Sequence, residues 1–224
     1  MNNKRTRIIE RAFVSTSSLL LTNEQCLTIQ SFVFEHNFGG YIVDTSNLPY
    51  IDPLFSEQKG FVSINHPYSG FCKDSVLDCV VKTTSLQKTK TRGLVVSMDK
   101  TDIETANVES CRSFLKELES LSDSEIMVSI KNSWIGSSEQ LSKLISLIAP
   151  YPKMSLVVID NQVNKKQITN KEICKTALVS GFDKLMYQSE LVINNTVCSK
   201  ILDIGFSGLI VSPTVCLSIV NNKV

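Results

Sequence analysis

Lys131 ends the run Ile126-Met127-Val128-Ser129-Ile130-Lys131, an apolar stretch finishing on an amine. An ammonium at the end of a buried strand is costly to keep charged, so its pKa is expected to fall; a neutral amine is what attacks a carbonyl to form a Schiff base. Asp99 and Asp160 stand at the ends of the apolar runs 94–98 and 156–159. They would supply acid and base beside Lys131, or simply pair with its charge. Other apolar runs also end in polar residues: Asp44, Asn65 and His66, Tyr187 and Ser189, and Ser212 with Thr214. These are the candidate binding groups. His66, just before Pro67, is a candidate proton shuttle, and Trp134, the sole tryptophan, is placed to wall a pocket. A plainer reading stands beside each: strands turn polar wherever they leave a core, a mouth lysine can be held by a carboxylate, His66 can be structural, and Trp134 can pack on its loop.

Those residues need a scaffold that gathers strand ends, and the chain repeats one. Gly181-Phe182-Asp183-Lys184-Leu185-Met186-Tyr187-Gln188-Ser189 is answered by Gly205-Phe206-Ser207-Gly208-Leu209-Ile210-Val211-Ser212-Pro213. In each, a glycine follows a helical stretch, where the left-handed conformation costs it little, and a short apolar strand comes next. Residues 193–204 between them read as a helix, making a strand–helix–strand unit of a parallel sheet. Similar runs cover 12–16, 41–45, 61–67, 94–99, 126–132 and 156–160. Helical stretches between them open with capping-box spacing at Thr22/Gln25, Ser137/Gln140 and Thr169/Glu172. Leu27, Phe32, Val33 and Phe34 are expected on or near the apolar side of the first of these, Asp74 to cap a helix through Val81, and Val108, Cys111, Leu115 and Leu118 to face inward from another. Strand starts recur roughly every 20–33 residues, the length of a βα unit.

About eight such units predict either a closed (βα)8 TIM barrel or an open doubly wound sheet. The loop after the first strand, Ser15-Thr16-Ser17-Ser18, lacks the glycines of a dinucleotide-binding turn, which favours the barrel, as a single domain over 1–224. Active sites of such barrels lie at the C-terminal ends of the strands. Phosphate is commonly held there by backbone amides after strands seven and eight. Here those loops begin Ser189-Glu190-Leu191 and Ser212-Pro213-Thr214, without glycine, with a carboxylate in one and a proline in the other, which disfavours a phosphorylated ligand.

The bulk composition narrows the function class. A net charge of +1 gives no electrostatic footprint for nucleic acid or an anionic membrane. The seven cysteines form no C-x-x-C pair and only two histidines are present, so neither a zinc site nor another cofactor is expected. Buried, reduced thiols and a cytoplasmic location are the expectation, with no stretch long and apolar enough for a signal peptide or membrane span.

Phe61-Val62-Ser63-Ile64-Asn65-His66-Pro67-Tyr68-Ser69-Gly70 resembles the third strand of the deoxyribose-phosphate aldolase family, an apolar run ending N-F-P-x-G. Residues 126–132 with 137–141 are similar to that family's strand five and its following helix, and residues 204–214 to its A-G-A-x-x-I-G-x-S-S end. The resemblance implies a class I aldolase barrel, but the family's functional motifs are not carried over. Val158 falls at the Schiff-base lysine of K-T-S-T-G, Tyr187 at the strand-seven lysine, Val95 at the strand-four aspartate and Lys131 at the strand-five glutamate. Three readings follow, in order of preference. The first is a catalytically degenerate aldolase-like barrel kept for binding or assembly. The second is an active aldolase or lyase with its nucleophile moved to Lys131 beside Asp99 and Asp160. The third is an isomerase or epimerase using Asp44, Asp99 or Asp160. The expected ligand is a small carbonyl or sugar-like molecule, and a homodimer is compatible with the sequence.

Overall fold

Eight strands close into a parallel barrel in simple sequence order: β1 (Ala12–Ser15), β2 (Gly40–Asp44), β3 (Gly60–Ile64), β4 (Gly93–Ser97), β5 (Glu125–Lys131), β6 (Met154–Asp160), β7 (Leu185–Ser189) and β8 (Gly208–Val211). The computed structural model describes residues 3–16, 19, 21–44, 59–64, 92–98, 108–121, 125–160, 168–189 and 193–221. Around the strands lie α1 (Asn3–Arg11), α2 (Asn23–Glu35), α3 (Val108–Leu121), α4 (Ser138–Ile148), α5 (Asn170–Val179), α6 (Asn195–Asp203) and α7 (Pro213–Asn221). This is the (βα)8 TIM barrel expected from the repeat. The circuit closes where β1 pairs with β8, Phe13 opposite Ile210.

The strands form because their residues are apolar on both faces, as a sheet covered inside and out requires. One set, including Val14, Tyr41, Val43, Leu94, Val128, Val158, Tyr187 and Leu209, packs outward against the helices. The other, Ile42, Phe61, Val95, Met127, Val157, Met186 and Ile210, with Phe13 and Ile159, fills the lumen. Helices start where the sequence places caps. Thr22 and Thr169 form full capping boxes with Gln25 and Glu172. Ser137 accepts from the Gln140 amide at 3.2 Å, but the Gln140 side chain turns to the Gly136 amide instead of completing the box. Gly181 (φ +67°) and Gly205 (φ +121°) take the positive φ expected after α5 and α6.

Two expectations change. Residues 3–11, for which no element was expected, form α1, whose Arg7 pairs with Asp203 at 2.8 Å and donates to the Leu202 carbonyl, fastening α1 to the end of α6. On α2, Leu27 and Phe34 are exposed while Cys26, Gln30 and Val33 face the barrel, so the inward stripe is offset from the one read in sequence. Val108 to Leu118 behave as expected, with Cys111, Leu115 and Leu118 buried. Asn65, His66, Asp99, the helix expected after Asp74, Cys72 and Cys79 lie outside the described residues. Among the described residues, no helix is long and apolar enough to cross a membrane, and no cluster of three or more His, Cys, Asp or Glu could hold a metal ion.

Candidate functional site

Alternation along a strand decides which side chains can meet a ligand: every second residue faces the lumen, and its neighbours face the helices. Following the strand register round the barrel sorts the inward residues into tiers of four from alternate strands, the usual filling of this fold. The lowest tier, from the even strands, is Gly40, Gly93, Ser155 and Gly208. Those small residues make room for the bulky tier above, Phe13, Phe61, Met127 and Met186. A Cβ on Gly40 would stand 2.7 Å from the Phe13 ring, and one on Gly93 2.5 Å from the Phe61 ring. Phe13 and Phe61 meet edge to face at 5.5 Å, and Arg92 lies over the Phe61 ring from the N-terminal side at 5.4 Å. The third tier, Ile42, Val95, Val157 and Ile210, is again wholly apolar.

Above it the lumen changes character. The fourth tier is Ser15, Ser63, Ser129 and Gln188, four neutral groups that can donate and accept hydrogen bonds. Ser63 and Ser129 are each only 3% exposed. Ser129 shares a 2.8 Å hydrogen bond with Ser97, which stands in the tier above with Asp44 and Ile159. Lys131 is higher still, on the lumen face of β5 and opposite Ile159 in register. Its ammonium lies 5.8 Å from the centre of the Trp134 ring, which follows on a short 3-10 turn at the rim. The C-terminal mouth therefore joins a lysine, an aspartate, hydroxyls and an amide over an apolar floor.

Of the residues singled out in sequence, the structure brings Lys131 and Asp44 to this mouth. Asp160, Tyr187 and Ser189 lie on the other face of β6 and β7, among the helices. The Tyr187 hydroxyl donates to Asp160 at 3.0 Å, and Asn170, the first residue of α5, donates to the same oxygen at 3.4 Å. Burial first, and then the Asp160 carboxylate, raise the Tyr187 pKa, which keeps the phenol a donor. Asp160 is thus held by Tyr187 and Asn170 on the helix side of β6. Ser212 and Thr214 are exposed; the Ser212 hydroxyl accepts from the Val215 amide at 3.4 Å and so starts α7. Ser63, Ser129 and Gln188 were not singled out. Counting back in twos from Lys131 reaches Ser129, the signal that would have found the tier.

The same alternation corrects the residue matching. Val158 and Tyr187, which the resemblance set at the two lysines, both face outward. The lumen positions are Ser155, Val157 and Ile159 on β6, and Met186 and Gln188 on β7. Val95, set at the strand-four aspartate, and Lys131, set at the strand-five glutamate, do lie on the lumen face.

No protein-family model matches the chain, and no curated protein matches it in sequence. Its fold is found among solved structures. An aldolase designated QR15 superposes with a TM-score of 0.70 at 11% identity, over 97% of this chain and 94% of that one. The deoxyribose phosphate aldolase of Aeropyrum pernix gives 0.67 at 11% identity, over 96% and 90%. N-acetylneuraminate lyase from Mycoplasma synoviae gives 0.55 at 9% identity, over 94% and 71%. At such identities these likenesses establish a shared aldolase-like barrel fold, and they do not extend to shared residues.

Proposed function

We propose that this chain is a deoxyribose-phosphate-aldolase-like barrel whose mouth binds a small polar ligand and does not form the imine that class I aldolases form on strand six. The observation that carries this is the make-up of the lumen face on β6 and β7: Ser155, Val157, Ile159, Met186 and Gln188. A Schiff base needs an amine over the lumen, and valine, isoleucine, methionine and glutamine side chains supply none. What remains suits binding: a polar tier seated on an apolar one, under a rim whose charges, among the described residues, are Lys131 and Asp44.

A second reading keeps catalysis and moves the nucleophile to Lys131. It is favoured by that residue's place on the lumen face at the mouth. In this reading Asp44, on the lumen face of β2, replaces Asp160 as the carboxylate of the described mouth. Sodium borohydride trapping with glycolaldehyde, acetaldehyde and acetone, followed by intact mass, separates the two. The expected result is no adduct. A stable adduct that disappears in Lys131→Met overturns the binding reading and establishes the relocated amine.

A further inference from the structure

We infer that the mouth takes an uncharged, polyhydroxylated ligand, a free sugar or polyol, gripped by the neutral tier Ser15, Ser63, Ser129 and Gln188. The inference rests on the reading of the mouth as a binding site and names the class of molecule it fits. Buried hydroxyls cost free energy unless they are hydrogen-bonded, yet Ser63 and Ser129 are 97% removed from solvent at the point where two apolar tiers end. Ser129 is hydrogen-bonded to Ser97 at 2.8 Å and donates to the Val96 carbonyl at 3.4 Å. A ligand hydroxyl is both donor and acceptor, and serine hydroxyls and a glutamine amide complement it in both senses. The C–H face of a sugar or polyol would rest on the apolar tier of Ile42, Val95, Val157 and Ile210.

Two observations argue against an anionic ligand. Barrels of this kind hold phosphate on the amides that begin the helices after strands seven and eight. In this chain one amide at the start of each of those helices is already engaged. The Asn194 side chain accepts from the Val197 amide at 3.0 Å to open α6, the Ser212 hydroxyl serves α7 in the same way, and Pro213 has no N–H. The described charges of the mouth also balance. Among the described residues the mouth carries one charge of each sign, Lys131 on β5 and Asp44 on β2.

The test is a titration of the intact chain with D-ribose, erythritol and D-ribose 5-phosphate, followed by calorimetry and by the emission of Trp134. We expect saturable binding of D-ribose or erythritol, with the phosphate ester no tighter than the free sugar. Gln188→Leu should weaken the neutral ligand by about tenfold, the loss of roughly one buried hydrogen bond, while Tyr187→Phe, on the opposite face, should leave it unchanged. If the leucine disturbs the fold, as thermal unfolding would reveal, Ser63→Ala takes its place. No saturation with either neutral probe, a clear preference for the phosphate ester, or an affinity untouched by both tier variants overturns the inference. Failure here is distinguishable from failure of the proposed function. A borohydride adduct on Lys131 would end the binding-only reading and leave the preference for uncharged ligands standing.

Discussion

The hydroxyl of Tyr187 and one oxygen of Asp160 meet at 3.0 Å behind the barrel wall, where neither can reach a molecule in the lumen. Removing that hydroxyl takes a donor from a carboxylate that is 8% exposed. Tyr187→Phe is therefore expected to cost about 1–3 kcal/mol of stability, read from urea unfolding, without moving ligand affinity at the mouth. This residue pair also shows what the sequence could not supply. Asp160, Tyr187 and Ser189 are polar and end apolar runs, as site residues do, but a run buried on both faces has no alternation of hydrophobicity to reveal which face each residue takes. Ser63, Ser129 and Gln188 were hidden for the converse reason: each lies one or two residues inside a run that reads as core. Lys131 and Asp44 were found because a charge at a strand end is conspicuous whichever way it points.

Among the elements, the strands and most helices were legible because each carries a local signal. Thr22 and Thr169 announced α2 and α5 through their capping partners, and Gly181 and Gly205 marked where α5 and α6 stop. α1 was missed because Ile8 and Ile9 are its only buried apolar residues, and nothing in a basic nonapeptide signals that it will lie against α6 and α7. The role of the lowest tier was equally invisible, since a glycine at the start of a strand looks like a loop residue. Gly93→Ala would bring a Cβ to 2.5 Å from the Glu125 carbonyl oxygen and from the Phe61 ring. We expect it to lower stability by about 1–3 kcal/mol through overpacking. Gly136→Ala, whose Cβ would meet, among the described residues, the Gln140 side chain at 3.4 Å, is the near-neutral comparison in the same denaturation experiment.

For the molecule as a whole, closure was inferred in sequence from unit count and from the missing dinucleotide turn; the pairing of Phe13 with Ile210 that achieves it joins residues too far apart for any local pattern to show. The closed form buries five described thiols, Cys26, Cys111, Cys174, Cys198 and Cys216. Desolvation pushes Cys174 and Cys198 up to about 11 and Cys216 up to about 12. An unfolded thiol ionises near its ordinary value of about 8.5, so above that pH the unfolded chain binds fewer protons than the native one. The stability these thiols contribute is intact below that value and is lost as pH rises toward the native pKa values. The urea midpoint should accordingly fall between neutral pH and pH of about 10, and an alkylating reagent should label Cys174, Cys198 and Cys216 together, at the rate of unfolding. A midpoint unchanged over that range would contradict the assignment. The two apolar tiers, Phe13 to Met186 below and Ile42 to Ile210 above, have a kinetic consequence as well. They stop the lumen like a cork, so the barrel is a vessel with one door, through which anything that enters must also leave. Anything seated across that opening would then trap an occupant and exclude its replacement in a single act.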